Sequence, residues 1–364
     1  MTEHAFQPQP PSDAESRQNL TIIERYERVE RILVRHPRFN ALMARIDFCN
    51  LYANELPTLN PPCIAILAET GAGKTTLVKT WIADSGYKRY ETPEGSVIPY
   101  LYVSVPAGAT IKATAANILE TLGDPNPGRG TQWNMVCRVY QLIKGCRVRM
   151  IFADEFQHIV EKETQHILYK VADFLKDIIN HTGIPMILIG RLGEAEPVLR
   201  VNPQLGRRLG TPLILEPFEW DRARPETTIA EFCEVMESID RSLPFDLSGL
   251  GTEEMAFRFY YATDGYLGHV MELIRYAAKG AIDTGCATLN LPLLQAAYAA
   301  RLAGTTIGKK VNPFSKGFTE AQATVVKSAP QPAPSGQSGQ KATTRRGPQQ
   351  TPKKSLRTSE VLKK

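Results

Sequence analysis

Residues 62–76 read P-C-I-A-I-L-A-E-T-G-A-G-K-T-T and carry the groups that hold a phosphate. Gly71 and Gly73 allow the backbone to turn its N–H groups inward toward phosphate oxygens. Lys74 can reach β- and γ-phosphates, and the Thr75 hydroxyl can bind Mg²⁺. The pattern G-x-x-x-x-G-K-[ST] departs at its first position, Ala68, where we expect a small side chain to be tolerated. The spacing predicts a nucleotide-binding loop made of Thr70, Gly71, Ala72, Gly73, Lys74, Thr75 and Thr76.

Two adjacent carboxylates follow a β-rich run at 148–153. Asp154 can hold Mg²⁺ through water, and Glu155 can orient and polarise an attacking water. Such a pair can also be a solvated strand end, but its place 80 residues after Lys74 favours ATP hydrolysis. We interpret His158, three residues further on, as a supporting or helix-start histidine rather than a catalytic one.

Arg207 and Arg208 follow a short helical stretch and precede an apolar run. In ring or filament ATPases, an arginine at this place completes the site of a neighbouring subunit and stabilises the charge on the transferred phosphoryl group. The alternative is a pair of surface arginines.

Apolar runs alternate with helical patterns around these residues. This alternation predicts an α/β fold with a five-stranded parallel, doubly wound sheet. Ligands bind at the carboxyl ends of such strands, where Lys74 and Asp154 both fall. The predicted strands are 63–68, 100–105, 148–154, 184–190 and 212–218.

Outside the sheet the patterns are helical. Two helices over 20–52, separated by the break at His36-Pro37, precede the first strand. Four helices at 227–239, 252–262, 268–281 and 291–302 form a small lid. The predicted organisation is a disordered terminus (1–20), an N-terminal helical segment (21–56), a nucleotide-binding core (57–220), a helical lid (221–304) and a basic, largely disordered tail (305–364).

A loop at 106–110 leads into a helix over 111–122, with Thr110 as its predicted N-cap. Lys112 lies in the first turn of this helix, where the helix dipole does not favour a cation. This placement hints that Lys112 faces an anion, although a solvated lysine is the simpler interpretation.

Composition restricts the function classes. No apolar run approaches the ~18–20 residues of a membrane helix, and the polar, Pro-rich start lacks a signal-peptide core, so we expect a cytoplasmic protein without a membrane partner. The six cysteines form no C-x-x-C pair, so neither a zinc site nor a disulfide framework is indicated. The net charge of +5 divides into +10 for residues 305–364 and −5 for the rest, which is typical of an arm that binds nucleic acid or an acidic protein surface.

These motifs together resemble the AAA+ ATPases. Within them, the chain resembles the TniB/TnsC group of transposition ATPases, which is related in role to MuB. The matching pieces span about residues 30–315 and are R-H-P-R-F (35–39), A-E-T-G-A-G-K-T-T (68–76), I-F-A-D-E-F-Q-H (151–158), N-P-Q-L-G-R-R-L (202–209), G-Y-L-G-H-V (265–270) and N-P-F (312–314).

The resemblance implies an ATP-dependent, DNA-binding transposition regulator rather than a nuclease. Such proteins assemble with ATP and Mg²⁺ into homo-oligomeric rings or filaments on duplex DNA of any sequence, mark a target and recruit a DDE transposase. Some work with a target-selection factor, including CRISPR effector complexes. Carried over, Lys74, Thr75, Asp154 and Glu155 form the site. Arg208 is the trans arginine with Arg207 in reserve, and Thr110 and Lys112 are the positional matches for DNA contact.

Two departures from the AAA+ pattern stand out. Arg191 follows Gly190 where a polar γ-phosphate sensor is expected, and Gly268, beside His269, occupies the place of the lid's sensor arginine. Both departures are compatible with slow turnover in a switch that holds DNA while ATP is bound.

The main alternative is a protein-directed AAA+ module, for secretion or signalling, that does not bind DNA. A replication initiator or clamp loader is disfavoured because no winged-helix pattern follows the lid. A helicase is disfavoured because no further helicase motifs are evident.

Overall fold

The computed structural model describes residues 20–54, 60–106, 110–159, 165–305 and 310–320. Most of the predicted terminus 1–20 and the tail beyond 320 therefore lie outside the described residues. None of the helices in the described ranges combines the length and the apolar character that crossing a lipid bilayer requires.

A five-stranded parallel sheet forms the centre of the molecule, which confirms the predicted fold class. The strands are β1 Ile64–Ala68, β2 Tyr90–Thr92, β3 Gly95–Val97, β4 Tyr100–Ser104, β5 Met150–Asp154, β6 Met186–Arg191 and β7 Leu213–Ile214. The order across the sheet is β4-β5-β6-β1-β7. A separate antiparallel hairpin, β2-β3, lies in the polar stretch before β4.

Helices cover both faces of the sheet and continue into the lid. Those in the N-terminal segment and core are α1 Ile22–Glu30, α2 Pro37–Asn54, α3 Lys74–Asp84, α4 Ile111–Thr121, α5 Gln132–Gly145, α6 Gln165–Thr182, α7 Glu196–Val201 and α8 Pro203–Leu209. A short 3₁₀ helix, Phe156–Ile159, follows β5. The lid helices are α9 Ile229–Ser242, α10 Glu253–Thr263, α11 Leu267–Thr284 and α12 Leu291–Arg301.

The sheet is buried on both sides, which is why its strands are apolar throughout. In β1, Ile64 and Ile66 pack with α2 and α3 on one face, whereas Ala65 and Leu67 pack with α4, α5 and α6 on the other. This alternation follows from the period of two in a strand. The shared carboxyl edge of β1, β4, β5 and β6 is therefore a rigid platform for the loops that follow these strands.

The two N-terminal helices pack on different parts of the molecule. Val29 of α1 lies in the hydrophobic core of the lid, whereas Phe39 of α2 lies in the core beneath the sheet. The first helix also ends at Glu30, earlier than the predicted break at His36-Pro37. After α1, the side chains of Ile32 and Val34 both pack in the lid core. Burial of every second side chain is the spacing of an extended chain, not of a helix.

The fifth strand is shorter than predicted, with only Leu213 and Ile214 in the ladder with β1. Leu215 still donates to the Leu67 carbonyl at 2.9 Å, but Pro217 has no N–H to continue the pairing. Phe218 then donates to the carbonyl of Gly265 at 3.0 Å, which directs the chain into the lid.

The lid extends beyond residue 304, where the sequence placed its end. Phe314 is fully buried in the lid core, and Phe318 is 5% exposed against Tyr261 and Phe257. The buried guanidinium of Arg258 donates to the carbonyls of residues 313, 315 and 318. Residues 310–320, which we call the strap, are therefore part of the folded lid.

Candidate nucleotide site

The loop between β1 and α3 has the backbone of a phosphate cradle. Gly71 and Gly73 have φ angles of +80° and +99°, values that glycine adopts without strain. Gly73 is the N-cap of α3 and supplies no side-chain cap, so the first N–H groups of the helix stay available to an anion.

Lys74, the first residue of α3, is buried, with 8% of its surface exposed. Its Nζ donates to the carbonyls of Ala68 at 2.9 Å and Glu69 at 3.0 Å. Burial lowers the pKa of Lys74, while the nearby Glu155 and Asp154 carboxylates act in the opposite direction. The Lys74 ammonium is thus held at the loop by two carbonyl oxygens. It lies near the Asp154 and Glu155 carboxylates at the end of β5.

Asp154 ends β5 and is 2% exposed. Its Oδ2 accepts a hydrogen bond from Thr75 Oγ1 at 3.3 Å, and its Oδ1 accepts from the backbone N–H of Glu155 at 2.8 Å. The fold has therefore brought the hydroxyl and the carboxylate of the predicted magnesium site into contact.

Tyr102 is a site residue that sequence reasoning missed. Its hydroxyl donates to Asp154 Oδ2, and its pKa is raised, first by burial and then by this carboxylate. Tyr102 lies on β4, which pairs with β5 in the register Tyr102↔Phe152. Its place near the end of the neighbouring strand was the available signal, but only the strand order shows which carboxylate it meets.

Glu155 adopts the left-handed conformation, with φ of +56°. Its Oε2 accepts a hydrogen bond from Gln157 Nε2. His158 lies in the 3₁₀ helix, and its Nδ1 is 3.0 Å from the carbonyl oxygen of Val105. These contacts fit the supporting place predicted for His158.

Arg191 projects from the end of β6 over the phosphate loop. Its Nε donates to Thr70 Oγ1 at 3.1 Å, and its Nη1 forms an ion pair with Glu194 at 2.5 Å. The residue that departs from the usual sensor pattern is thus directly bonded to the loop.

The lid closes against the loop through backbone groups. The N–H of Gly268 donates to the carbonyl of Gly71 at 2.7 Å. A Cβ on Gly268 would lie 2.2 Å from that oxygen, so this position excludes a side chain. The imidazole of His269 lies against Gly71, and its Nδ1 is 3.5 Å from Glu272. Close packing of the lid on the loop explains why glycine stands where a sensor arginine was expected.

These groups enclose an open cleft of about 600 Å³ at the carboxyl edge of the sheet. Its lining includes Thr70, Gly71, Gly73, Lys74, Thr75, Thr76, Glu155, Gln157, His158, Arg191, Glu194, Gly268, His269 and Glu272. Asp154 lies beneath it, and Ala72 continues the loop. Cationic, hydroxyl and carboxylate groups therefore converge on one space between core and lid.

Arg207 and Arg208 lie elsewhere, in the last turn of α8. Arg208 donates to Asn180 near the end of α6, and Arg207 is exposed. They precede β7, whereas Lys74 follows β1, and the two strands are parallel. The arginines therefore occupy the opposite edge of the sheet and cannot reach the cleft of their own chain.

Thr110 caps α4, because its hydroxyl accepts from the N–H of Ala113 at 3.1 Å, as predicted. Both Thr110 and Lys112 are exposed, on the side of the molecule where β4 ends. Their surface is open to a partner and separate from the lining of the cleft.

Comparison with known proteins identifies one family and several solved structures of similar fold. The family model described as "Bacterial TniB protein" matches residues 26–219. No curated protein matches the chain.

Among solved structures, the chain is similar to the Aeropyrum pernix ORC1 protein in complex with DNA (18% identity, TM-score 0.51, covering 75% of this chain and 66% of that one). It is also similar to the Aeropyrum pernix ORC2 protein in ADPNP-ADP complexes (17% identity, TM-score 0.52, covering 75% of this chain and 69% of that one). A third similar structure is Cdc6p from Pyrobaculum aerophilum (12% identity, TM-score 0.51, covering 72% of this chain and 67% of that one). The chain thus spans 66–69% of their lengths, and the likeness shows a shared AAA+ fold.

Proposed function

The chain belongs to the bacterial TniB family and has the fold of an AAA+ ATPase, and we propose that it is an ATP-driven switch for DNA transposition. In this proposal it assembles with ATP on target duplex DNA, recruits and stimulates a DDE transposase, and is released by hydrolysis. The observation that carries the proposal is the convergence of Lys74, Thr75, Asp154 and Glu155 at one cleft beneath the lid.

Hydrolysis follows from the groups that line this cleft. Glu155 accepts a proton from a water molecule while the water oxygen bonds to the γ-phosphorus. The bond between that phosphorus and the β–γ bridging oxygen breaks, and its electron pair leaves with ADP. Lys74 and the loop N–H groups hold the phosphates during this step. The products are ADP and inorganic phosphate.

Mg²⁺ fits the residues present. Thr75 Oγ1 and Asp154 Oδ2 are 3.3 Å apart, and both are oxygen ligands of the kind Mg²⁺ prefers. Thr75 and Asp154 would hold the ion, since Mg²⁺ is bound by few protein ligands together with water and substrate phosphates. Bound there, it would neutralise phosphate charge. Tyr102 orients the Asp154 carboxylate by donating to it.

Assembly enters the proposal through Arg208. Because it lies at the sheet edge opposite its own cleft, it can serve hydrolysis only in a neighbouring subunit. An arginine supplied in trans would make turnover slow in the single chain and faster in a ring or filament.

DNA contact is supported by the family and by charge. We propose that Thr110 and Lys112 face duplex DNA through its phosphates, which makes binding tolerant of sequence and sensitive to salt. The +10 segment 305–364 adds DNA affinity or binds an acidic partner. The finer partners in this proposal are a DDE transposase and a target-selection factor, such as a CRISPR effector complex. The site of action is the cytoplasm.

Electron microscopy of negatively stained protein with random-sequence duplex DNA tests the proposal, with ATP, ADP or no nucleotide. We expect rings or filaments only when ATP and DNA are both present. Rings that form with ATP alone, indifferent to DNA, would contradict it and indicate a protein-directed AAA+ module.

The DNA contact has its own test. Lys112→Ala should weaken DNA binding and reduce the slope of log affinity against log salt by about one, as expected for one lost phosphate contact. Lys88→Ala, at an exposed lysine ahead of β2, is the matched control and should leave both unchanged. Equal behaviour of the two variants would remove Lys112 from the interface.

A further inference from the structure

We propose that Gln157 is a positioning residue, which sets the orientation of the Glu155 carboxylate and thereby the rate of hydrolysis, with little effect on nucleotide affinity. The inference rests on the proposed function, because it concerns the same cleft. Neither the nucleotide motif nor the carboxylate pair assigns this glutamine a role.

The side-chain amide of Gln157 is bonded at both ends. Its Oε1 accepts the backbone N–H of Arg191 at 3.0 Å, and its Nε2 donates to Glu155 Oε2. A backbone N–H can only donate, so it selects the oxygen end of the amide. The NH₂ end must then face Glu155. The amide therefore cannot turn over without losing both bonds.

Burial makes this arrangement rigid. Gln157 is 3% exposed, so water cannot replace a lost partner at low cost. Phe156, the residue before Gln157, is fully buried. Its ring packs so closely on Gly190 of β6 that a Cβ on this glycine would lie 2.6 Å from the ring. The backbone of Gln157 is thus held against β6 independently of its side chain.

The orientation of the Glu155 side chain is not set by the strand that precedes it. Successive side chains of a strand point to opposite faces, so a regular continuation of β5 would direct Glu155 away from Asp154. The left-handed conformation at Glu155, φ of +56°, breaks that alternation. Gln157 then fixes one carboxylate oxygen and leaves Oε1 for a water molecule. Its neighbour His158 is 3.9 Å from Glu155 Oε2, beyond hydrogen-bond distance.

The same glutamine connects Glu155 to the phosphate loop. Arg191, whose backbone N–H anchors Gln157, bonds through its side chain to Thr70. Hydrogen bonds through Arg191 and Gln157 thus connect the phosphate loop to Glu155.

Two variants test the inference by steady-state ATPase kinetics on DNA-assembled protein, with ATP affinity measured separately. Gln157→Met keeps the length and volume and removes both hydrogen bonds. Gln157→Glu keeps an acceptor for the Arg191 N–H and removes the donor to Glu155. We expect kcat to fall by about tenfold or more in both, with KM and the Kd for ATP within about threefold of wild type.

A double-mutant cycle separates positioning from general damage. If Gln157 acts through Glu155, Gln157→Met should cause no further loss in the Glu155→Gln background. Gln141→Met, at an exposed glutamine of α5, is the matched control and should leave kcat unchanged.

Each other outcome decides against a specific claim. Wild-type kcat in Gln157→Glu would show that the donated bond is not needed. A parallel loss of ATP affinity, or additive losses in the cycle, would indicate a structural role. If Glu155→Gln itself leaves hydrolysis intact, the proposed function fails; if only the Gln157 variants match wild type, the failure is confined to this inference.

Discussion

The buried charges of the cleft are each compensated by a specific neighbour. Lys74 donates to two loop carbonyls, and Asp154 accepts from a threonine and a tyrosine hydroxyl and from a backbone N–H. A buried charge without such partners would cost several kcal/mol. Replacing one of these residues therefore tests a particular set of contacts.

Lys74→Ala removes the only described cation that combines burial with a place inside the phosphate loop. We expect loss of ATP binding and of any ATP-dependent assembly, measured by fluorescent-nucleotide titration and light scattering. Lys79→Ala, at an exposed lysine of the same helix, should bind as wild type does. ATP-dependent assembly of Lys74→Ala at the wild-type level would contradict the interpretation of this loop as a phosphate-binding loop.

Glu155→Gln should retain ATP and lose hydrolysis by about 10²–10⁴-fold, because the amide cannot accept the proton of water. DNA complexes of this variant should then persist, measured as a longer dissociation time after dilution. Glu120→Gln, at an exposed glutamate of α4, provides the control. Unchanged turnover would remove Glu155 from its role.

His36 predicts a pH dependence of stability. It is 3% exposed between Phe39 and Phe218, and burial, with a smaller contribution from Arg38, lowers its pKa to about 4. The unfolded chain binds a proton below its ordinary pKa of about 6.5 and the folded chain does not, so stability falls as pH drops from about 6.5 to 4. The loss for one group approaches about 3 kcal/mol.

Thermal unfolding between pH 4 and 7 measures this loss. His36→Asn should flatten the profile in that window, whereas His181→Asn, at an exposed histidine of α6, should not. An identical pH profile in His36→Asn and wild type would assign the dependence to other groups.

At the scale of elements, the parallel sheet separates two functional edges. Loops after β1, β5 and β6 meet at the cleft, whereas Arg208 lies in α8, at the opposite edge, before β7. The Arg208 of one chain therefore cannot reach the nucleotide cleft of the same chain. We expect hydrolysis to depend on assembly, because a neighbouring subunit must supply this arginine.

Mixing variants tests this coupling. Arg208→Ala should assemble and hydrolyse poorly, because its intact clefts lack the trans arginine. Adding Glu155→Gln protein, which binds ATP and supplies Arg208, should restore hydrolysis at the Arg208→Ala clefts, measured as phosphate release against the mixing ratio. A flat response would weaken the trans assignment, and the same rescue of Arg207→Ala would show that the second arginine contributes.

At the scale of the whole molecule, the N- and C-terminal segments complete the lid. The helix α1 contributes Val29 to the lid core, and the strap contributes Phe314. Residues 31–36 therefore connect a helix that packs in the lid to α2, which packs beneath the sheet. We propose that the working lid consists of α1, the helices of 221–304 and the strap.

Truncation distinguishes the strap from the tail that follows. Removal of residues 321–364 should leave the unfolding temperature and basal ATPase activity near wild type. Removal of 305–364 should destabilise the lid, since it exposes the Phe314 site and deprives Arg258 of three carbonyl partners.

A point variant supports the comparison. Phe314→Ala in the full chain should cost about 3–5 kcal/mol in the free energy of unfolding, the usual range for a buried phenylalanine. Equal stability of the two truncations would contradict the place of the strap in the folded lid.

The parallel sheet, the lid and the phosphate loop could be predicted from the sequence. These follow from local chemistry: apolar runs for strands buried on both faces, glycines for positive φ, and adjacent carboxylates after a strand. The α/β fold and the family resemblance were confirmed. The strands' shared carboxyl edge was sufficient to predict that Lys74 and Asp154 lie close together.

Contacts between groups that are distant in the sequence could not be predicted in the same way. Tyr102 on Asp154, Gln157 between Glu155 and Arg191, and Gly268 on Gly71 join residues through strand order, a left-handed turn and the approach of the lid. The division of the N-terminal helices between lid and sheet, and the burial of Phe314, were equally hidden. Such contacts depend on packing between elements, which the spacing of residues within one element does not encode.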